Sequence, residues 1–157
     1  MKVLIIYESA FGNTEKLALA MRDALIECHE VRAIRPGDYN SSFLIGLDLL
    51  VVGSPTQKFS PLKEITDFLK ALPEKSLAGI KVAAFDTRID LKKVNNKVLN
   101  FFVFFFGYAA KTIARKLVGK GGTLASPPEG FFVEGTNGPI TPGELKRAVT
   151  WAKTINA

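Results

Sequence analysis

Three aliphatic runs organise the chain: residues 2–8, 49–53 and 81–85 are rich in Val, Ile, Leu and Ala and show no polar alternation. Runs this short cannot make helices, and their lack of alternation predicts strands buried on both faces of a parallel sheet. A shorter strand is expected at 31–34, ended by Pro36 and Gly37. Between these runs the period changes. Leu17, Ala20, Met21, Ala24, Leu25 and Cys28 recur at helical spacing opposite Lys16, Arg22, Asp23 and Glu27, which predicts an amphipathic helix. Leu62, Ile65, Phe68, Leu69 and Leu72 predict a second, and residues 109–118 a third that stops at Gly119. Residues 123–125 and 131–134 read as two pieces of a fifth strand split by Pro127 and Pro128. For the last helix, Thr141 is expected as the cap, Pro142 in the first turn and Glu144 at capping-box spacing, ahead of an apolar face of Leu145, Ala148, Val149, Ala152 and Ile155. Strand and helix alternate throughout. The pattern predicts one α/β domain over residues 1–157, a doubly wound parallel sheet of five strands.

Composition narrows the class. With 157 residues, 47% of them hydrophobic and 23% charged, the chain has room for one core and no bias toward disorder. Cys28 is the only cysteine, which excludes an intramolecular disulfide and a thiolate zinc cage and suggests a reducing compartment. The opening apolar run is too short for an export signal, so a cytoplasmic location is expected. The greasiest stretch, 98–110, is broken by Asn100 and falls short of the ~20 residues of a spanning helix, so no transmembrane segment is expected. A net charge of +6 suits an acidic partner, nucleic acid or anionic lipid, or is simply a solvated basic surface. Charge alone does not choose.

In an open parallel sheet, ligands gather beyond the carboxyl ends of the strands, where the winding reverses. The loop Ser9, Ala10, Phe11, Gly12, Asn13, Thr14 lies there and leads into a helix start, whose free N–H groups and dipole favour a phosphate or, failing that, an ordinary cap. No G-x-G-x-x-G follows the first strand and no G-x-x-x-x-G-K-[ST] occurs, so the usual dinucleotide and P-loop chemistries lack their residues. A phospho-accepting receiver domain would need an acidic cluster after the first strand and an Asp ending the third. Here Glu8 stands alone, and the third strand ends in Gly53 and Ser54.

The strings ESAFGNTEKLA, VVGSPTQ and AAFDTR resemble the three cofactor loops of the flavodoxins, in particular prokaryotic members carrying FDTR, and the element order and the ending GFFVEGTNGPITPGELKRAVTWAK extend the resemblance over essentially the whole chain. It implies the flavodoxin-like strand order 2-1-3-4-5 and FMN as cofactor. The phosphate would be held by Ser9, Ala10, Gly12, Asn13 and Thr14. Phe11 stands in that loop where the family usually has Thr, one hydroxyl donor fewer. The isoalloxazine ring would lie between Pro55, Thr56, Gln57, Lys58 and Phe59 on one side and Phe85, Asp86, Thr87 and Arg88 on the other. Phe59 is the candidate stacking aromatic or else a hydrophobic anchor; the third loop has no Tyr or Trp. Arg88 is either a cation beside the ring or an ion-pair partner of Asp86 or Asp90.

Residues 101–108 hold Phe101, Phe102, Phe104, Phe105, Phe106 and Tyr108 without a clean period. So many aromatics cannot all point inward, which suggests self-association, a partner contact or a shield for the flavin, against a plain packed loop. His29 reads as a helix-end residue and Trp151 as packing. The function expected from the resemblance is electron transfer by bound FMN between redox partner proteins, the partner surface being acidic and nucleic acid not expected. The alternatives are an FMN-dependent NAD(P)H or quinone reductase and a non-redox interaction module that has lost FMN.

Overall fold

Strand β1 (Lys2–Tyr7) runs up the middle of the sheet, parallel to β2 (Glu30–Ile34) on one side and to β3 (Leu49–Pro55) on the other. The computed structural model describes residues 1–94, 97 and 107–155. Beyond β3 lies β4 (Lys81–Ile89), and its outer side pairs in parallel first with β5 (Thr123–Leu124) and then with β6 (Glu129–Val133). β5 and β6 thus share one lane, broken where Pro127 and Pro128 cannot donate to a ladder. The order is β2-β1-β3-β4 and then the split fifth strand, in the expected doubly wound arrangement.

The chain winds from β1 outward to β2 and then the opposite way from β3 to β5, so right-handed crossovers put the helix after β1 on one face and those after β3 and β4 on the other. Helices α1 (Asn13–Leu25) and α4 (Glu144–Ile155) pack on one face through Leu17, Met21, Ala148 and Trp151 against Val3, Ile5, Val51 and Phe85. Helices α2 (Lys63–Ala71) and α3 (Ala109–Gly119) cover the other through Ile65, Leu69, Ile113 and Leu117 against Leu4, Ile6, Val52 and Val82. Trp151 sits in the core, edge-on to Phe85 and Phe131, as the sequence suggested.

Three expectations need correction. β4 does not stop at Phe85 but continues to Ile89, so Asp86, Thr87 and Arg88 belong to a strand and inherit its alternation. The last helix begins at Glu144, and Thr141 is not its cap. Gly143 takes φ +91°, outside helical space, and the Glu144 N–H donates to the Thr141 carbonyl, so Thr141 to Glu144 form a tight turn. Leu145, assigned to the apolar face, is exposed.

The Glu144 carboxylate is used elsewhere. It accepts the Phe132 N–H at 2.8 Å and pairs with Arg147, whose Nη2 also donates to the Gly130 carbonyl. Next along the same edge of β6, the Thr141 N–H donates to the Phe132 carbonyl and the Glu134 N–H to the Pro139 carbonyl. Side chains and the returning segment therefore satisfy the outer edge of the sheet.

Candidate functional site

The carboxyl ends of β1, β3 and β4 converge on a cleft of about 430 Å³. The loop after β1 contributes Ser9, Ala10, Phe11, Asn13 and Thr14; the end of β3 and the turn beyond it contribute Pro55, Thr56, Gln57 and Lys58. β4 supplies Thr87, Arg88 and Ile89, and the exit of β6 supplies Val133, Gly135 and Thr136. A second recess of about 290 Å³ shares Thr56, Lys58, Arg88 and Ile89 with the first and adds Phe59, Leu91 and Tyr108.

Gly12 precedes α1 with φ +87°, a left-handed conformation that costs a residue with Cβ about 1–2 kcal/mol. Its N–H donates to the Ser9 hydroxyl at 3.0 Å, folding the loop back over the helix start. The first-turn N–H groups of a helix have no intrahelical acceptor, and the macrodipole adds partial positive charge there. Asn13 and Thr14 are buried, and the Thr14 hydroxyl meets that of Thr87 at 3.0 Å. Gly138 lies against the Asn13 side chain so closely that a Cβ would fall 2.6 Å from Oδ1. Arg35, from just beyond β2, pairs with Glu8 and with Glu15 at 3.2 Å and stacks over Tyr7. It neutralises the carboxylate that stands beside the loop, because Glu8 also accepts the Ser9 N–H. Burial, and then the Glu15 carboxylate, push the Tyr7 phenol up.

Gln57 and Ser60 exchange backbone hydrogen bonds of 3.0 and 2.9 Å across a two-residue tip. Lys58 and Phe59 at that tip both have positive φ, 47° and 63°. Two left-handed residues in succession give the twist of a primed hairpin turn, normally made by Asn-Gly. The turn holds Phe59, half-buried, in the wall of the second recess.

Asp86 is wholly buried at the base of the site. Its carboxylate accepts Arg88 Nε at 2.6 Å and Nη2 at 2.8 Å, the Ala110 N–H at 2.8 Å, and a hydrogen bond from Thr56. Burial pushes this carboxyl up, while Arg88 and the other donors pull it down. Thr56 Oγ1 in turn accepts the Ala109 N–H, so one residue just past β3 and one from β4 cap α3. That capping brings Tyr108, just before α3, over Arg88, with Cζ 3.6 Å from the ring centroid. Burial raises the Tyr108 phenol, against the pull of Arg88.

Of the residues expected at the site, Ser9, Ala10, Phe11, Asn13, Thr14, Pro55, Thr56, Gln57, Lys58, Thr87 and Arg88 line one cleft, with Gly12 at the turn between them. Phe59 lies in the adjoining recess. Phe85 is elsewhere: its ring is fully buried against Phe131 and Trp151 and offers no surface to the cleft. Asp86 acts through Arg88. Of the alternatives for Arg88, its acidic partner is Asp86. Ile89, Val133, Gly135 and Thr136 were not foreseen; the β4–β6 register that pairs Ile89 with Val133 brings them in, and no local signal marks them. Phe101, Phe102, Phe104, Phe105 and Phe106 lie outside the described residues. Among the described residues no cluster of His, Cys, Asp and Glu could hold a metal, and no helix is long and apolar enough to cross a membrane.

A family model described as a flavodoxin domain matches residues 4–102, well over half of the chain. The chain belongs to the flavodoxin family. A curated relative, probable flavodoxin 1 of Bacillus subtilis (strain 168), is 33% identical over 86 residues, a stretch covering 54% of this chain and 54% of the relative. The matched stretch thus spans about half the relative's length. Among solved structures, oxidised flavodoxin 1 from Bacillus cereus superposes with a TM-score of 0.77 at 18% identity, covering 99% of this chain and 97% of that one. Oxidised flavodoxin 2 from the same species gives 0.73 at 24% identity, covering 99% and 98%. At these identities the structures establish the common fold.

Proposed function

We propose that the cleft binds FMN and that the protein carries electrons between partner proteins. The observation that carries this reading is the convergence of the loop after β1, the turn after β3 and the end of β4, in a flavodoxin-family chain, on a single cleft that opens onto the start of α1. The residues present fit the group. Gly12 to Thr14 offer a turn, first-turn N–H groups and a helix N-terminus to a phosphate. The recess walled by Phe59 and Tyr108 offers apolar surface to a planar ring, with Lys58 and Arg88 at its edges. When bound, FMN supplies the redox chemistry; the protein supplies binding, orientation and electrostatics.

Exposed basic residues favour an acidic partner. Lys58, Lys92, Lys97, Lys111 and Arg115 are exposed and form no ion pair among the described residues. Lys93 and Lys120 pair instead with Glu134 and Glu74.

Purified protein titrated with FMN tests the reading. Quenching of flavin fluorescence with saturation at one equivalent is the expected result, and NAD(P)H added to the loaded protein alone should leave it yellow. Bleaching by NAD(P)H would make it a reductase, and the absence of binding would leave an interaction module.

A further inference from the structure

Arg88 is immobilised more thoroughly than an ion pair requires. Asp86 takes two of its donors side by side, a bidentate geometry that fixes the guanidinium plane. The Tyr108 ring covers the guanidinium at 3.6 Å, a cation–π contact. Near Gly130, a Cβ added to the backbone would lie 2.2 Å from Cζ and from Nε, so the slot exists only because position 130 has no side chain. The anion of the pair is wholly buried and spends its remaining capacity on Ala110 and Thr56, whereas Arg88 borders both recesses. Nη1 has no acceptor among the described residues. The pair is neutral overall, yet the cleft meets its positive end.

We infer that Arg88 is a fixed cation facing the cleft, held by Asp86, Tyr108 and Gly130 as positioning residues, so that the site favours a cofactor form that has gained negative charge. This rests on the reading of the cleft as an FMN site. A permanent, oriented cation stabilises an anionic form over a neutral one, and holding it rigidly removes the reorganisation that a mobile lysine would need. FMN reduced by two electrons and one proton carries such a charge on its ring, so the protein should bind reduced FMN more tightly, relative to oxidised FMN, than it would without Arg88.

The test compares dissociation constants for oxidised and dithionite-reduced FMN, together with the midpoint potential, in the parent and four variants. Arg88→Gln should lower the preference for reduced FMN at least tenfold, which for a two-electron couple is about 30 mV. Gly130→Ala keeps the charge but obstructs its slot and should shift the preference in the same direction; Arg88→Lys should restore part of what Gln loses. Arg88→Gln leaves the buried Asp86 without its cation and risks unfolding, so the double variant Asp86→Asn with Arg88→Gln, which removes both charges, must also lose preference for reduced FMN, by less than the single variant. If the variants bind FMN with the parent's reduced-to-oxidised preference, whatever their stability, Arg88 is a structural ion pair and the inference is wrong. If the parent itself takes up no FMN, the functional reading falls and this inference falls with it.

Discussion

The hydroxyls of Thr14 and Thr87 meet at 3.0 Å in a buried contact that fastens the start of α1 to β4. Both residues are almost wholly buried, at 1% and 5% exposure. Thr87→Val should therefore cost about 1–3 kcal/mol by stranding the Thr14 hydroxyl, and Thr14→Val should do the same to Thr87. The double variant should lose clearly less than the sum, since it leaves no orphan. Urea unfolding of the four proteins gives the coupling; strictly additive losses would mean that the contact contributes nothing.

Gly53 in β3 lies against the face of Phe85, where a Cβ would fall 2.1 Å from the ring. Gly53→Ala should destabilise by at least about 1–3 kcal/mol through overpacking, and Phe85→Leu in the same chain should recover part of the loss. Thermal midpoints decide it: a Gly53→Ala protein as stable as the parent would show that the ring can move aside.

At the tip of the second loop, Lys58 is exposed and left-handed. Asn tolerates that conformation better than Lys, so Lys58→Asn should stabilise by up to about 1 kcal/mol. A lowered urea midpoint would contradict the strain assigned to this turn.

Glu144 bears on acid stability. Its hydrogen bonds with Arg147, joined by the Phe132 N–H, hold the carboxyl below its ordinary 4.5 despite burial. A depressed folded value means stabilisation that is present above 4.5 and lost as the pH falls through the folded value. Glu144→Gln should remove that part of the acid slope, flattening stability against pH below about 4.5. An unchanged slope in chemical denaturation would assign acid sensitivity to other groups.

The exposed basic residues predict electron transfer that slows with salt. With an acidic ferredoxin as a surrogate partner, raising ionic strength should reduce the rate, because exposed charges are screened over about 8 Å at physiological salt. Lys111→Glu with Arg115→Glu should reduce it at low salt. A stopped-flow rate independent of ionic strength would remove the acidic-partner proposal.

The central strands were legible because a strand buried on both faces leaves an unbroken aliphatic run, and residues 2–7, 49–52 and 81–85 contain little else. The split fifth strand was legible for the opposite reason, since two adjacent prolines interrupt a lane visibly. The start of α4 was misread because Thr-Pro-Gly-Glu satisfies both a capping box and a tight turn, and only the left-handed Gly143 separates them. Within the site, the first loop could be read as a string. The slot around Arg88 could not: Tyr108, Gly130 and Asp86 meet there through capping of α3 and the β4–β6 register, both of them long-range.

The covered edge of β6 has a consequence for the protein in concentrated solution. An uncovered strand is a template, and any extended segment that meets it can add by hydrogen bonding. Here Glu144 and Arg147 stand where the next strand's carbonyl and amide would be, and the stretch at Pro139 to Thr141 takes up the next positions. On that flank the backbone groups of β6 are already taken, so an approaching strand finds little to pair with. Loss of Arg147 would bare the Gly130 carbonyl and leave Glu144 without its charge partner, opening the first gap in that cover.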